Sequence, residues 1–285
     1  MKKNEKDQLK VEKALKVSVI MSVFSESERQ LRRSIDSILE QTFTDFEFII
    51  ILDNPLNTKA KKILDEYVEK DKRILFLTNK KNIGLAFSLN KGTEQARGVY
   101  IARQDADDRS LPKRLEIQVR YLEDHSNIDV VGTALRYIEE GSDKILFDRY
   151  YEKNISHIIK RESPLAHPTV VVKKSIFSNF GKYEDVRYCE DYDLWIRWFL
   201  KGVRITNIPS VLYLYYQNTT SVKKTKARQQ LFQTILLQFR YRRLLVYTLP
   251  DYVFLFGAAL LCMLPCKVIL KLFYITKKRK KSYKT

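Results

Sequence analysis

Two aspartates separated by one residue, Asp105 and Asp107, stand shortly after an apolar run at residues 99–102 of this 285-residue chain. Carboxylates at positions i and i+2 that leave a strand can both reach one hard divalent cation. Mg²⁺ and Mn²⁺ prefer oxygen ligands and usually combine one or two carboxylates with substrate phosphates. The pair therefore predicts a Mn²⁺ or Mg²⁺ site that would hold a diphosphate leaving group, although the same spacing also occurs by chance in acidic turns.

A second acidic group, Glu190, Asp191 and Asp193, is interleaved with Tyr192 and Trp195 at the predicted start of a helix. Acidic side chains are favourable in a first helical turn because they oppose the positive end of the helix dipole. That explanation does not account for the interleaved aromatic rings. The pattern therefore favours a functional role for this segment.

The elements that must position these acids alternate between strand and helix patterns over the first 140 residues. Apolar runs and helical periodicity predict strands at 17–21, 46–52, 74–77 and 99–102, and helices that include 58–70, 85–96 and a segment from Pro112 to Asp124. Residues 25–28 have the form of a capping box, and residues 168–172 resemble a later strand. Near-continuous apolar strands separated by helices predict an α/β fold with a mostly parallel central sheet covered by helices on both faces.

Polar residues follow each of the four predicted strands, at 22–26, 53–54, 79–84 and 105–108. In open α/β sheets, ligands bind beyond the carboxyl ends of the strands. The four segments are therefore expected to form one site.

Charge is concentrated in the C-terminal part of the chain. The net charge is +18, but residues 221–285 hold 15 basic side chains and one acid, whereas the first 220 residues hold 37 basic and 33 acidic side chains. The nearly balanced main body argues against a nucleic-acid partner. Only 8 glycines occur, without a G-x-G-x-x-G or P-loop pattern, and the three cysteines show no metal-ligand spacing with the three histidines. Residues 1–16 lack the apolar core of a secretory signal, so a cytosolic domain is expected.

Residues 244–276 are strongly apolar and have arginine or lysine on both sides. The stretch 252–266 has 15 residues, or about 22 Å as a helix, whereas a bilayer core of about 30 Å needs about 20 residues. Positive charge on both flanks favours an interfacial or re-entrant helix pair that breaks near Pro265, with both ends at the cytoplasmic face of the membrane. A single tilted span and a soluble helical appendage packed on the domain are the alternatives.

Six segments together resemble the family-2 glycosyltransferases of the GT-A fold: residues 17–26, Asp53, and residues 82–85, 102–108, 167–169 and 190–195. Their order and spacing are specific, although each is modest alone. The resemblance implies a Rossmann-like GT-A domain at 17–220, with a nucleotide-sugar half at 17–110 and an acceptor half at 111–220. A charged extension at 1–16 precedes this domain, and a basic, apolar, membrane-associating region at 221–285 follows it. The implied reaction is inverting transfer of a sugar from a nucleotide donor, commonly a UDP-sugar, to an acceptor hydroxyl.

The resemblance also implies roles for individual residues. Residues at four strand ends and one later histidine would bind the donor: Phe24, Glu26, Asp53, Asn82, Gly84, Asp105 and His167. Three of these, Asp53, Gly84 and His167, equally fit ordinary turn or structural roles. Asp107 would be the principal metal ligand with Asp105 beside it, and Asp108 is a second choice.

On the acceptor side, the resemblance makes Asp191 the catalytic base and Glu190 a residue that orients it or binds acceptor hydroxyls. Trp195 would stack on a sugar unless it belongs to the core. The chain departs from the family pattern at Gln217, near which relatives carry an arginine or histidine close to the phosphates. A lysine from the next segment is expected to supply that charge instead: Lys223, Lys224 or Lys226.

A membrane-surface position would suit a lipid-linked glycan acceptor in cell-surface polysaccharide synthesis. Two other functions are open. A sugar-1-phosphate nucleotidylyltransferase shares the α/β core but needs a glycine-rich basic loop, which residues 22–29 lack. An inactive, membrane-bound sugar-nucleotide-binding subunit would not need the intact Asp105, Asp107 and Asp191.

Overall fold

The computed structural model describes residues 15–217, 223–264 and 268, and of residues 223–227 it describes the backbone alone. Most of the expected N-terminal extension and the domain boundary expected at residue 220 lie outside the described residues. The same is true of the helix break expected near Pro265.

Four parallel strands form the half of the sheet that the N-terminal part of the chain builds. They lie in the order β3 (Ile74–Thr78), β2 (Phe46–Leu52), β1 (Val17–Val23) and β4 (Tyr100–Asp105). The helices between them are α1 (Glu28–Leu39), α2 (Thr58–Lys70) and α3 (Leu85–Gln95). Every residue of β2 is buried, because helices cover both faces of the sheet. The predicted α/β arrangement is confirmed in this half.

The second half of the sheet is mixed in direction. After β5 (Arg109–Ser110) and α4 (Arg114–Asp124), the remaining elements are β6 (Val130–Glu139), β7 (Ile145–Arg149), β8 (Val171–Lys173), α5 (Ser175–Phe180), α6 (Glu190–Leu200) and β9 (Ile205–Gln217). Strand β8 lies between β4 and β6 and is antiparallel to both, whereas β6 and β9 run parallel. Strands β5 and β7 pair antiparallel with β9 and β6. The sheet therefore extends past the acidic turn, because β5, the strand that follows the turn, pairs with β9.

Alternate residues of β1 face opposite sides of the sheet and enter different cores. Val19 packs in the cluster that also contains side chains of α1, α2 and α4, whereas Ile20 packs with side chains of α3 and α6. Two buried tryptophans of α6, Trp195 and Trp198, fill the second cluster. Helix α6 is thus held firmly against the same sheet that carries the acidic turn.

Two local predictions need correction. The N-cap of α1 is Ser27, which forms a capping box with Gln30, rather than a box that starts at Ser25. The segment predicted as a strand at 168–172 begins as a 3₁₀ turn at His167–Thr169, and only Val171–Lys173 pairs as β8. Pro168 has no N–H for a strand ladder, and its fixed φ suits the first residues of a turn.

Helices α7 (Lys223–Tyr241) and α8 (Leu249–Leu261) pack against each other as a C-terminal hairpin, and Tyr241 of α7 contacts Asp193 of α6. Leu237 of α7 and Leu245 of the connection are buried in the same core cluster as Trp198. Within residues 15–217 and 223–264, no helix has both the length and the hydropathy needed to cross a membrane.

Candidate active site

Three carboxylates meet in the turn that follows β4. One carboxylate oxygen from each of Asp105, Asp107 and Asp108 lies within 4.8 Å of the others. Asp108 has no exposed surface; its Oδ1 accepts a hydrogen bond from the backbone N–H of Tyr216 at 2.8 Å, and its Oδ2 has no hydrogen-bond partner among the described residues. Burial, with the added charges of Asp107 and Asp105, raises the pKa of Asp108 well above its usual range. A proton or a bound cation would relieve the repulsion among these three carboxylates. Asp108 Oδ2, which has no hydrogen-bond partner among the described residues, is therefore suited to a divalent ion.

Side chains of α1 hold this acidic turn by its backbone. The Ser34 hydroxyl donates to the carbonyl oxygen of Asp105 at 2.7 Å, and Arg33 donates to the carbonyl oxygen of Asp107. The Arg33 guanidinium also pairs with Glu140 at 2.9 Å and lies 3.4 Å from the ring centre of Tyr216. Sequence reasoning missed Arg33 because its partners lie far along the chain. Its effect is to fix the direction in which the three carboxylates point.

A buried arginine of β4 pairs with the acidic turn and acts electrostatically on the candidate base. Arg103 of β4 is 6% exposed and forms an ion pair with Asp105. Burial raises the pKa of Asp191, and the N–H of Tyr192 and the charge of Arg103 oppose that rise. Burial also lowers the pKa of His167 well below its usual range, and Arg103 adds to the decrease. The sequence assigned Arg103 no role, because a residue inside a strand gives no sign of the charges that it will face.

Glu190 and Asp191 are the first two residues of α6. The Ser163 hydroxyl lies 3.1 Å from the carbonyl oxygen of Leu165 and 3.5 Å from Asp191 Oδ2, and these are the two acceptors for its single hydrogen. Burial and the charge of Asp191 raise the pKa of Glu190 to about 7, and the charge of Asp105 adds to the rise. The acidic turn and the start of α6 therefore share one electrostatic environment. The strand-end pattern and the later acidic group each predict a functional segment, and the structure brings the two segments together.

Asp53 ties the loop at residues 79–84 to the end of β2. Its carboxylate is buried and accepts hydrogen bonds from Asn79 Nδ2 at 2.8 Å and from the backbone N–H groups of Ile83 and Gly84, each at 2.9 Å. Gly84 has φ +87° just before α3, a conformation that favours glycine, and its N–H also lies 2.9 Å from Asn82 Oδ1. A carboxylate accepts about four hydrogen bonds. Asp53 therefore shapes the loop and retains room for one further donor.

Phe24 and Glu26 lie at the end of β1, next to the acidic turn. The Phe24 ring is 44% exposed, and its backbone N–H donates to Glu26 Oε2 at 2.7 Å. Burial raises the pKa of Glu26, the N–H of Phe24 opposes this, and the charge of Asp105 adds to the rise. The structure thus brings the end of β1 to the acidic turn, as the strand-end pattern predicts.

Trp195 belongs to the core, which is one of the two roles that the sequence allowed for it. It has no exposed surface, and its ring meets the ring of His167 edge-on at 6.0 Å. His167 Nε2 in turn lies 2.8 Å from the Tyr183 hydroxyl. Because three turns of α6 pack against the sheet, a large apolar side chain on that face fills the interior. Trp195 therefore packs against His167 from within the core.

A second, partly buried arginine, Arg149, ends β7. It pairs with Glu162 at 3.1 Å, and its guanidinium lies 4.6 Å from the ring centre of Tyr151. Burial raises the pKa of Tyr151, and the charge of Asp191 contributes to the rise. Gln217 is the last residue of β9. The side chains expected from sequence to replace the missing charge lie outside the described residues: Lys223, Lys224 and Lys226.

Comparisons with known proteins give matches both in sequence and in fold. A family model described as "Glycosyl transferase family 2" matches residues 18–181. The chain is 41% identical over 202 residues to an uncharacterized glycosyltransferase, MJ1057, of Methanocaldococcus jannaschii, covering 70% of each chain. It is 33% identical over 266 residues to the putative glycosyltransferase EpsE of Bacillus subtilis, covering 89% of this chain and 91% of EpsE. It is 36% identical over 213 residues to the O-antigen biosynthesis glycosyltransferase WbnJ of Escherichia coli, covering 73% and 82%.

Among solved structures, S. aureus TarS 1-349 in complex with UDP-GlcNAc is similar in fold, with a TM-score of 0.62 and 18% sequence identity. The match covers 78% of this chain and 65% of the TarS 1-349 chain. The acidic turn falls inside the span of the family match, whereas Glu190 and Asp191 lie beyond it.

Proposed function

This chain belongs to glycosyl transferase family 2, and from that premise we propose that it transfers a sugar from a UDP-sugar to an acceptor hydroxyl with a bound Mn²⁺ or Mg²⁺. The observation that carries the proposal is the charge of Arg103, which pairs with Asp105 of the acidic turn and also acts on Asp191. The acidic turn is suited to holding a leaving diphosphate through a metal ion, and Asp191 is suited to accepting a proton. The family assignment favours this reaction over the nucleotidylyltransferase alternative.

The three carboxylates of the acidic turn would hold the metal. Asp105 and Asp107 are the ligands expected from sequence, and the unpartnered Oδ2 of Asp108 supports its addition to the set. When bound, a divalent ion neutralises the charge that develops on a leaving diphosphate. Arg103, ion-paired with Asp105, is a fixed positive charge at the same place.

Asp191 is proposed as the general base. The acceptor oxygen forms a bond to the anomeric carbon as its proton passes to an Asp191 carboxylate oxygen, while the bond from the anomeric carbon to the diphosphate oxygen breaks and UDP leaves. Attack opposite the leaving group inverts the anomeric configuration. The raised pKa of Asp191 makes it a better proton acceptor near neutral pH than an exposed aspartate. Glu190 is placed beside it to bind acceptor hydroxyls.

The donor side is proposed to use the remaining strand ends. Asp53 would accept the uracil N–H with the lone pair that its three loop hydrogen bonds leave. Phe24 and Glu26 would line the nucleotide pocket, and the loop shaped by Asn82 and Gly84 would close it. His167, which burial keeps neutral, would contact the donor from the 3₁₀ turn.

The acceptor is proposed to be a lipid-linked glycan in cell-surface polysaccharide synthesis, met at the cytoplasmic membrane surface. The names of two relatives support the pathway class, since WbnJ is named for O-antigen biosynthesis and a similar protein of Erwinia amylovora, AmsE, for amylovoran biosynthesis. Helix α8 supports the location. It exposes an apolar stripe at helical spacing: Leu249, Val253, Phe256 and Leu260, which Met263 extends. Exposed apolar stripes of this size mark interaction surfaces, and nearby Arg240 and Arg243 suit anionic lipid.

Donor chemistry is tested by measuring Mn²⁺-dependent UDP release from UDP-glucose, UDP-galactose and UDP-N-acetylglucosamine, with water as acceptor. At least one donor is expected to turn over. Asp191→Asn should keep Mn²⁺-dependent donor binding but lose UDP release by about 10²- to 10⁴-fold, whereas Asp107→Asn should weaken the binding itself. Absence of both binding and turnover across the panel would refute the proposed function.

Membrane association is tested by sedimentation with vesicles of phosphatidylglycerol and phosphatidylcholine. Val253→Ser/Phe256→Ser should reduce the bound fraction, while Ile145→Ser, an exposed apolar position on β7, should leave it unchanged. Equal binding by all three proteins would count against a docking role for α8.

A further inference from the structure

Tyr241, the last residue of α7, donates its hydroxyl hydrogen to a buried carboxylate of α6. Asp193 has no exposed surface; its Oδ1 accepts from the Tyr241 hydroxyl at 2.9 Å and its Oδ2 accepts from Arg197 Nε at 2.7 Å. A buried carboxylate is strongly unfavourable unless its oxygens are paired and hydrogen-bonded. The contact with α7 and the ion pair with Arg197 therefore together fix the position of the Asp193 side chain.

Asp191 and Asp193 point to nearly opposite sides of α6. Residues two apart on an α-helix differ in direction by about 200°, so one side of the first turn faces the candidate site and the other faces α7. A side-chain tip lies about 5–6 Å from the helix axis, so a rotation of the turn by 10° moves the Asp191 carboxylate by about 1 Å. Fixing Asp193 thus fixes the direction of Asp191.

The residues that lead into α6 also contact α7. The Tyr188 hydroxyl donates to Gln229 Oε1 at 3.0 Å, and Cys189 Sγ lies 3.4 Å from Thr234 Oγ1. Tyr188 adopts φ +68°, a conformation that is costly for a residue with a side chain and needs support from its surroundings. Helix α7 supplies part of that support at the entrance to the first turn.

The partner of Asp191 on its other side is held by the same helix. Ser163, whose hydroxyl lies 3.5 Å from Asp191 Oδ2, follows the 3₁₀ turn Ile158–Lys160 and Arg161. Gln238 of α7 donates from Nε2 to the carbonyl oxygen of Arg161 at 2.7 Å. Helix α7 therefore contacts both the helix that carries Asp191 and the segment that leads to Ser163.

We propose that Tyr241 is a positioning residue for Asp191, acting through Asp193, and that α7 is a structural part of the active site rather than a separate membrane appendage. This inference rests on the proposed role of Asp191 as the base. It assigns to the C-terminal hairpin a direct effect on the rate of proton transfer. A shift of about 1 Å in a reacting group can lower a rate by about 100-fold, so a partial loosening should be measurable.

The test uses the full chain with Tyr241→Phe, which removes one hydroxyl and keeps the ring. UDP release from the best donor of the panel, with Mn²⁺ and water as acceptor, should fall about tenfold in kcat, while the donor KM and Mn²⁺-dependent donor binding stay unchanged. The matched control is Tyr121→Phe, since Tyr121 lies on α4 and its ring stacks on His125 at 4.1 Å. This control should keep the wild-type kcat.

A double-mutant cycle with Asp193→Asn gives a second measure. If Tyr241 acts through Asp193, the two substitutions together should lower kcat by less than the product of their separate effects. Equal kcat for Tyr241→Phe and Tyr121→Phe would overturn the inference, and so would a parallel loss of kcat, donor binding and thermal stability. Retained UDP release by Asp191→Asn would instead overturn the assignment of the base, which separates the two failures.

Discussion

Asp108 offers the sharpest test of the acidic turn, because its substitution should stabilise the metal-free protein and weaken the metal-bound one. Its carboxylate has no exposed surface, shares its space with Asp105 and Asp107, and leaves Oδ2 without a hydrogen-bond partner among the described residues. Asp108→Asn keeps an oxygen that can accept from the Tyr216 N–H and replaces the other oxygen with an N–H donor. That donor can face the neighbouring carboxylates.

The magnitude follows from the group that the substitution removes. A buried polar atom without a partner costs about 1–3 kcal/mol, so Asp108→Asn should stabilise the metal-free protein by about that amount at pH 7. For a chain of this size, 1 kcal/mol corresponds to about 2–4 °C in Tm. The gain should depend on pH. Because burial and the two neighbouring acids raise the folded-state pKa of Asp108 above its unfolded value, the wild-type protein loses stability as pH rises above about 4. The variant lacks this loss.

The assay is thermal unfolding with and without Mn²⁺. At a Mn²⁺ concentration of 100 times Kd, binding should stabilise the wild-type protein by about 2.7 kcal/mol, and Asp108→Asn should retain only a small part of that effect. Asp65→Asn is the control, because Asp65 forms an exposed pair with Lys61 at 2.7 Å, and such a pair contributes about 0–1 kcal/mol. A variant that is less stable than wild type without metal, yet keeps the full Mn²⁺ response, would refute the reasoning.

Three further predictions concern Glu190, the N-cap of helix α1 and the contact of Arg33 with the acidic turn. The folded-state pKa of Glu190 is raised to about 7, so the wild-type protein should lose unfolding free energy as the pH rises from about 4.5 to about 7. Glu190→Gln should remove this loss. Urea unfolding at several pH values measures it, and an unchanged pH slope would contradict the prediction. Ser27→Ala should lower the unfolding free energy by about 1 kcal/mol, while Ser25→Ala should leave it nearly unchanged, because Ser27 caps α1. Arg33→Met should weaken Mn²⁺ binding in calorimetric titration, because the Asp107 carbonyl and Glu140 lose their shared partner; unaltered affinity would show that α1 does not hold the turn.

Much of the N-terminal half was predictable from local pattern. Strand β2 and helix α2 have the predicted bounds, Phe46–Leu52 and Thr58–Lys70. Apolar residues at strand or helix spacing report burial on the element's own faces, and this information lies within a few neighbouring positions. The convergence of four strand ends followed from the parallel order of β1 to β4 alone. The start of α6 was also predicted, because its acids and aromatic residues are adjacent in sequence.

The same reasoning fails where a partner lies far along the chain. Asp108 was only a second choice as a ligand, because its burial depends on Tyr216, 108 residues away. Trp195 was correctly placed on α6, but its burial depends on the sheet against which the helix packs. The mixed direction of the second half of the sheet likewise follows from the short strand β8, whose pairing with β4 and β6 leaves little trace in local pattern.

The sequence by itself therefore determined the α/β order of the first four strands, the acids that end them and the second acidic group at α6. Only the tertiary structure decided that Asp108 completes the set of three carboxylates, that Arg103 acts on both Asp105 and Asp191, and that α7 reaches α6 through Tyr241. The physical reason is the distance along the sequence between the residues that interact. Helix and strand periodicity arises from neighbours within about four residues, whereas burial, ion pairing and the pKa of a carboxyl depend on groups that the fold brings together from distant parts of the chain.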